Sequence, residues 1–298
     1  DVTVSVSPSL ALAGGVGYED VEVSSRDAVS DAGGLPVIGK DGSYVTDKSE
    51  ERLIAYQTKG LIWDAGVMWR PSKRTSLEAY VGRRYDSTTY YGTLAYAPNS
   101  RESINVSVYD AISSFGGVVT DRLAGLPAEF TAVRNALSGD IGGCVASLEG
   151  GSCRGGALGS LESAAFRSRG FSASYAVNMG RTTAGLGVGY DRRKFIAAPG
   201  TVLASADGVV DGTWWGAVYV STKLDARSSV HFNGTETLFN SGFTGGGRSV
   251  GYSASLAYYR QIIAGLAGTA ALGLDGINQQ TLPDIVSASA LMGLRYSF

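Results

Sequence analysis

The sequence predicts an all-β protein, a transmembrane antiparallel up-and-down β-barrel of about twelve strands, on three observations. Apolar and polar residues alternate with period two along most of the 298 residues. The sequence has no run of about 18 consecutive apolar residues, which a transmembrane helix would need. Short and long connections between the alternating segments fall at opposite ends of the predicted sheet, and this asymmetry favours a barrel over a soluble β-sandwich.

The C-terminal segment alternates most clearly. One face of residues 286–298 carries apolar and aromatic side chains, and the other carries mainly small or polar ones, as a strand between lipid and a lumen requires. The alternative is the last strand of a soluble β-domain. Gly293, Tyr296 and Phe298 also resemble the insertion signal at the end of bacterial outer-membrane barrels. Leu291 departs from that signal, because a polar residue is usual two positions before the Gly.

Eleven further segments show the same alternation. They lie at about 2–13, 59–70, 76–85, 88–97, 102–112, 168–178, 182–192, 211–222, 227–237, 249–259 and 264–274. The adjacent Trp214 and Trp215 leave it open which face of 211–222 is apolar. The sequence therefore predicts one domain over 1–298, with long loops at about 15–58, 113–167 and 193–210.

Composition excludes several classes of function. Lys and Arg number 25 against 27 Asp and Glu, so the chain has no basic field for nucleic acid. One His and two Cys argue against a zinc cluster, and we expect neither a metal nor a cofactor. The sequence starts at Asp1 without Met or an apolar signal core, from which we expect an exported chain with a cleaved signal peptide.

Cys144 and Cys153 lie in a glycine-rich segment, 142–156. Two cysteines that close a short loop, in a chain with no others, favour a disulfide formed in an oxidising compartment. A pair of free thiols in a cytosolic protein is the alternative.

Charged side chains occur on the face predicted to line the lumen. The pore-lining candidates are Asp64, Arg70, Glu78, Arg84, His231 and Arg295. They could form a charge ladder that orients a polar solute, or they could pair across neighbouring strands and hold the barrel rigid.

The 113–167 segment is the strongest functional candidate among the loops. Residues 127–137 place Phe130, Val133 and Leu137 at helical spacing after Pro127, which predicts a helix, and a second helix is predicted at 157–165. Such a loop either constricts the barrel mouth from inside or caps it outside, and a disordered surface loop is the third alternative.

No enzymatic site is predicted. His231 shares the lumen face with Ser229, but the sequence identifies no third group to orient the imidazole. The glycines at 245–247 lack the strand-to-helix context of a phosphate-binding loop.

The segment Trp63-Asp-Ala-Gly-Val-Met-Trp-Arg-Pro-Ser-Lys-Arg-Thr-Ser-Leu77, with residues 78–112 and the C-terminal strand, resembles a known family. This is the family of outer-membrane β-barrels associated with proteobacterial exopolysaccharide loci and the PEP-CTERM sorting system. The resemblance implies a location in the bacterial outer membrane and a role at surface polysaccharide. It supplies no catalytic residues.

We therefore expect a porin-like channel for small polar or saccharide solutes, accessory to exopolysaccharide export. The alternative is a structural barrel whose loops mediate assembly with itself or with other surface proteins. The expected partners are membrane lipid, the barrel-assembly machinery during insertion, and polysaccharide or small polar solutes.

Overall fold

A computed structural model gives the fold and describes residues 1–40, 44–114, 131–134, 141–147, 150–153, 165–280 and 282–297. These residues form sixteen strands in two antiparallel sheets, with one short 3₁₀ turn at Ala204–Ala206 and no α-helix. The strands are β1 (Val2–Ser7), β2 (Leu10–Ser25), β3 (Leu53–Ser72), β4 (Thr75–Arg84), β5 (Ser87–Asn99), β6 (Glu102–Ser114), β7 (Thr131–Arg134), β8 (Ile141–Ser147), β9 (Gly150–Cys153), β10 (Ala165–Asn178), β11 (Thr182–Ile196), β12 (Val210–Lys223), β13 (Ser228–Asn240), β14 (Arg248–Ile263), β15 (Leu266–Gln279) and β16 (Leu282–Tyr296).

The large sheet contains thirteen strands in up-and-down order, and strands β7 to β9 form a separate small sheet between β6 and β10. The all-β, antiparallel, up-and-down prediction is confirmed for the described residues. Strands β1 and β16 are the two edges of the large sheet and are not hydrogen-bonded to each other in the described structure. The sheet is therefore open, whereas the sequence predicted a closed barrel.

The two ends of the sheet carry different connections. At the short-turn end the connections are 8–9, 73–74, 100–101, 179–181, 224–227 and 264–265. At the long-loop end they are 26–52, 115–164, 197–209 and 241–247, with tight turns at 85–86 and 280–281. Local hydrogen bonds stabilise the short turns. In one of them, the backbone N–H of Arg227 donates to the Asp225 carboxylate at 2.6 Å and lowers the pKa of that carboxyl group.

The first predicted strand is a hairpin. The chain turns at Pro8 and Ser9, and β1 then pairs with β2 so that Val4 lies opposite Leu12. Directly opposite residues point to the same face of a sheet, so the alternation continues through the turn and hides it. The long loop predicted at 15–58 is correspondingly shorter, because β2 continues to Ser25 and β3 begins at Leu53.

The helix predicted at 127–137 is wrong where it can be checked. Residues Thr131–Arg134 form strand β7, which pairs with β8, and two of the four are β-branched. The rest of that segment lies outside the described residues. The second predicted helix also lies there except for Ala165, which begins β10. Within the described ranges, no helix is long and apolar enough to cross a membrane.

The two faces of the large sheet differ in chemistry and burial. On β11 and β12 the apolar face exposes Leu186 by 49% and Val218 by 40%, while Asp191 on the opposite, polar face is 6% exposed. The same comparison shows which face of β12 is apolar, because Trp214 is exposed on the apolar face and Trp215 is buried on the polar face. Large exposed residues follow the apolar face around the sheet: Leu12, Val16, Leu61, Val81, Tyr90, Leu186, Val188, Trp214, Val218, Phe232, Leu256, Leu272, Leu274, Met292 and Leu294.

Candidate functional site: the polar face

Buried polar groups concentrate on the polar face of β10 to β12, near the long-loop end. The Ser168 hydroxyl donates to the Asp191 carboxylate at 2.6 Å. Arg193, on the same strand as Asp191, faces Asp211 on β12. Its Nη2 lies 3.6 Å from Asp211 Oδ2, and both side chains are nearly inaccessible. The backbone N–H of Gly242 donates to the other Asp211 oxygen at 3.1 Å. Charges buried this deeply need partners, and these contacts supply part of them.

An apolar cluster covers these charges at the long-loop end. Phe166 and Phe195 are paired across β10 and β11, and their rings meet edge to face at 6.1 Å. Ala206 is buried with them, and three loop residues pack against the cluster: Leu203, Val209 and Phe243. The loops 197–209 and 241–247 therefore fold over the polar face.

The small sheet also lies on this side. Strand β8 contacts β6 and each of β10 to β13. Leu186, Trp214 and Phe232, on the apolar face of those strands, are exposed, whereas residues on their polar face are buried. Strand β8 therefore lies against the polar face. The described part of segment 113–167 therefore packs on the polar side of the sheet through β8.

Aromatic rings occupy space left by glycines on the polar face. A Cβ at Gly189 would overlap the indole of Trp215, and a Cβ at Gly185 would overlap the ring of Tyr219. Trp215 and Tyr219 are buried together with Ala217 on β12. Each ring thus lies over a glycine of the neighbouring strand and fills buried space between the polar groups of this face.

Three of the predicted pore-lining residues, Arg70, Glu78 and Arg84, take part in two ion pairs. Arg70 on β3 forms an ion pair with Glu78 on β4. Arg84 Nε donates to the Glu19 carboxylate at 2.9 Å, and the backbone N–H of Tyr85 donates to the same carboxylate at 2.6 Å. Sequence reasoning missed Glu19, because residues 15–58 were predicted to be a loop and the partners are 65 residues apart.

The remaining candidates are not brought together. Asp64 lies beside Gly15 and Gly82 of the neighbouring strands. His231 Nε2 is 3.0 Å from the Ser229 hydroxyl, and its ring contacts Tyr259 edge to face at 5.2 Å. The described contacts of His231 include no carboxylate. Arg295 is exposed on edge strand β16. Their role as pore-lining residues stays a prediction, as does the absence of enzymatic activity.

The backbone brings the two cysteines together. Cys144 on β8 is the direct cross-strand partner of Cys153 on β9, and Ser147 pairs with Gly150 at the other end of the same two strands. Directly opposite residues of antiparallel strands have Cα atoms about 4.5–5.5 Å apart, which a disulfide can span. The cysteine side chains lie outside the described part of the structure, so the disulfide stays a prediction.

Reduction of this disulfide is expected to leave the large sheet folded. Closing a ten-residue loop stabilises by only about 2–3 kcal/mol, and the crosslink constrains β8 and β9 alone. The measurement is the thermal unfolding midpoint by circular dichroism, with and without reductant. The double variant Cys144→Ser, Cys153→Ser should match the reduced protein. Loss of the β-sheet signal on reduction would contradict this expectation.

The predicted insertion signal is only partly described. Gly293 lies opposite Thr269, and a Cβ added at Gly293 would meet no atom within 4 Å. Tyr296 ends β16, and Phe298 lies outside the described residues. Their role in insertion stays a prediction.

A charged group on the apolar face was also missed. We name it the Asp110 seam: Asp110 on β6, Arg167 and Arg169 on β10, and Ser87 and Thr88 on β5. The Asp110 side chain is 0% exposed and accepts hydrogen bonds from Arg167 Nε at 2.7 Å and from Arg169 Nε at 3.0 Å. Pairing of β5 with β6 begins only at Gly92, so Thr88 has no pairing partner among the described residues of β6. Its carbonyl accepts a hydrogen bond from Arg169 Nη2 at 3.0 Å. The arginines thus bridge a split between two strands.

Comparisons with known proteins give distant likenesses. No protein-family model and no curated protein sequence matches the chain. A loop-deletion mutant of OmpT, an outer membrane protein of Vibrio cholerae, is 10% identical with a TM-score of 0.39, over 99% of this chain and 87% of that one. An outer membrane channel from Pseudomonas putida F1 is 13% identical with a TM-score of 0.31, over 98% of this chain and 96% of that one. Likenesses this weak carry no argument about fold or function.

The described residues hold no group of three or more His, Cys, Asp or Glu side chains that could bind a metal ion. The polar face is thus a surface of hydroxyl, amide, ion-paired and aromatic groups.

Proposed function

We propose that this protein is a bacterial outer-membrane β-barrel whose polar lumen passes small polar or saccharide solutes. One observation carries the proposal: twelve long antiparallel strands, counted as the thirteen of the sheet less the short β1, separate an exposed apolar face from a buried polar one. An apolar surface of this extent is unfavourable in water, whereas lipid would cover it at no cost.

Membrane insertion requires the sheet to close. An open edge in lipid leaves backbone N–H and C=O groups unpaired, at several kcal/mol each. Strand β16 runs towards the short-turn end, and β2 runs away from it. The two can therefore close the barrel as an antiparallel pair, as an even number of long strands allows. Strand β1 now occupies part of the β2 edge, so closure requires β1 to move or to be included.

The chemistry of the polar face supports solute passage. Buried atoms of Asn105, Asn233 and Thr213 have no hydrogen-bond partner among the described residues, and water in a lumen would satisfy them. On this face the rings of Tyr80 and Tyr91 have centroids 6.4 Å apart, and Tyr91 is exposed. Aromatic faces beside hydroxyl and amide groups are suited to sugar rings, which have apolar faces and polar edges.

The position of β8 supports a constricted pore, with the described part of segment 113–167 on the lumen side. It equally suits the alternative, a structural barrel that is closed inside and uses its loops for assembly. The association with exopolysaccharide loci and PEP-CTERM sorting is a proposal that rests on the sequence resemblance alone. Export with a cleaved signal peptide and insertion by the barrel-assembly machinery are likewise proposals drawn from the sequence.

Two measurements test the proposal. A folded barrel should migrate faster than the boiled chain in detergent gels, because its closed hydrogen-bond network resists mild detergent. The same folded protein should give discrete conductance steps in planar bilayers. Equal migration would refute the barrel. A folded band without conductance would refute the channel and favour the structural alternative.

Leu256→Arg is expected to destabilise the barrel by about 2–4 kcal/mol in lipid vesicles, because Leu256 is 47% exposed on the apolar face in mid-strand β14. Ile262→Arg is the matched control, since Ile262 is also exposed near the short-turn end of β14, where a charge costs about 0–1 kcal/mol. Folding midpoints in urea give both values. The opposite order would show that the apolar face does not meet lipid.

A further inference from the structure

Four cationic side chains share the apolar face of β10 and β11 at the long-loop end. Arg167 and Arg169 are the direct cross-strand partners of Lys194 and Arg192, respectively. We name these four residues the basic cluster. Like charges directly opposite one another destabilise a sheet, so negative charge is needed nearby to offset the repulsion within the basic cluster.

The described residues supply only part of that negative charge. Asp110 binds Arg167 and Arg169, as described for the Asp110 seam. Arg192 and Lys194 are exposed and have no acidic partner among the described residues. Their neighbours on the next strand, β12, are Gly212 and Val210, which carry no charge. In the described part of the chain, four cations thus face one carboxylate, and the two most exposed cations have no partner there.

The depth of the basic cluster matches a lipid headgroup. Phe171 and Tyr190 are paired one step closer to mid-sheet, and both rings contact Trp214, at 5.8 and 4.7 Å. Aromatic residues of this kind mark the membrane–water interface of barrels. Two residues along a strand span about 7 Å, so the basic cluster lies just beyond that interface. Long loops are extracellular in such barrels, which puts the cluster in the outer leaflet.

We propose that the basic cluster binds the phosphate groups of a phosphorylated lipid in the outer leaflet. This inference rests on the proposed membrane location. Arginine binds phosphate oxygens through two parallel N–H groups, and Arg192 has both free. The acyl chains of the same lipid would lie on Val188, Phe171 and Val108, which continue the apolar face below the cluster. A free phosphate ion would contact the cationic side chains but not the apolar residues below them.

Binding is tested with folded protein in neutral detergent, titrated with fluorescent diphosphoryl lipid A. The double variant R192Q/K194Q removes the two free cations and leaves the Asp110 seam intact. Its affinity should fall by about thirtyfold, since each cation near a charged lipid surface contributes about 1 kcal/mol. R181Q/R260Q is the matched control, because it removes two exposed cations at the short-turn end. Its affinity should equal that of the wild type.

Each outcome decides a different point. Equal affinities of wild type and R192Q/K194Q, or an equal loss in the control, would overturn the lipid site. Competition by millimolar inorganic phosphate as strong as that by unlabelled lipid A would assign the cluster to free phosphate, which also overturns it. Folding is checked first by heat-modifiability in phosphatidylcholine vesicles. A chain without a folded band would refute the membrane location and this inference together, whereas a folded protein without lipid preference refutes only the inference.

Discussion

Asp110→Asn is expected to destabilise the folded protein by about 3–5 kcal/mol, because it leaves two arginines without their shared counter-ion. The carboxylate is fully buried between Arg167 and Arg169, which are 16% and 31% exposed. An asparagine amide keeps one acceptor oxygen but points an N–H₂ group at a cationic donor. The measurement is the urea midpoint of the folded band in detergent gels.

Two further variants make this result specific. Asp20→Asn is the matched control, since the Asp20–Lys59 pair at 2.9 Å is about half exposed, and solvent screening leaves it only a small effect on stability. Adding Arg169→Gln to Asp110→Asn should restore part of the lost stability by removing one unpaired cation. An equal loss in Asp110→Asn and Asp20→Asn would mean that the seam does not hold β5 and β10 together.

Deletion of residues 128–160 is expected to raise the conductance in planar bilayers severalfold, with heat-modifiability unchanged. The physical reason is the position of β8, which lies against the polar face of β10 to β13 and would occupy the cross-section of a closed barrel. The long strands do not depend on this segment for their hydrogen bonds, because β6 pairs directly with β10. The deletion therefore removes the obstruction and keeps the wall.

A second loop deletion at the same end serves as control. Removing residues 31–45 shortens the connection between β2 and β3 and keeps Asp27, whose carboxylate accepts the backbone N–H of Val202 at 2.8 Å. Its conductance should stay close to that of the wild type. If the 128–160 deletion also leaves conductance unchanged, the segment is a cap or an assembly contact. If it prevents folding, the segment is a structural plug and the channel proposal fails.

Alternation along the sequence predicted the long strands because it is a local property. A strand that separates two environments must change chemistry at every residue, so β4, β6 and β12 lie within two residues of their predicted bounds. Errors arose where local patterns are ambiguous. Residues 15–58 were predicted to be a loop, yet Gly15 lies in β2, where the side chains of Asp1 and Asp64 approach it. The spacing of Phe130, Val133 and Leu137 fits a helix, but β7 pairs with β8 instead.

The sequence by itself determined most of the long strands, the two faces of all of these except 211–222, and the ends at which the long loops lie, because these follow from the order of neighbouring residues. Only the tertiary structure decided which distant charges meet. Glu19 reaches Arg84, and Asp110 reaches Arg167, across 65 and 57 residues. Those contacts depend on strand register, which shifts every pairing when it moves by one residue. The placement of β8 against the polar face is also a tertiary property, since β8 contacts β6 and each of β10 to β13 and no local sequence pattern specifies those contacts.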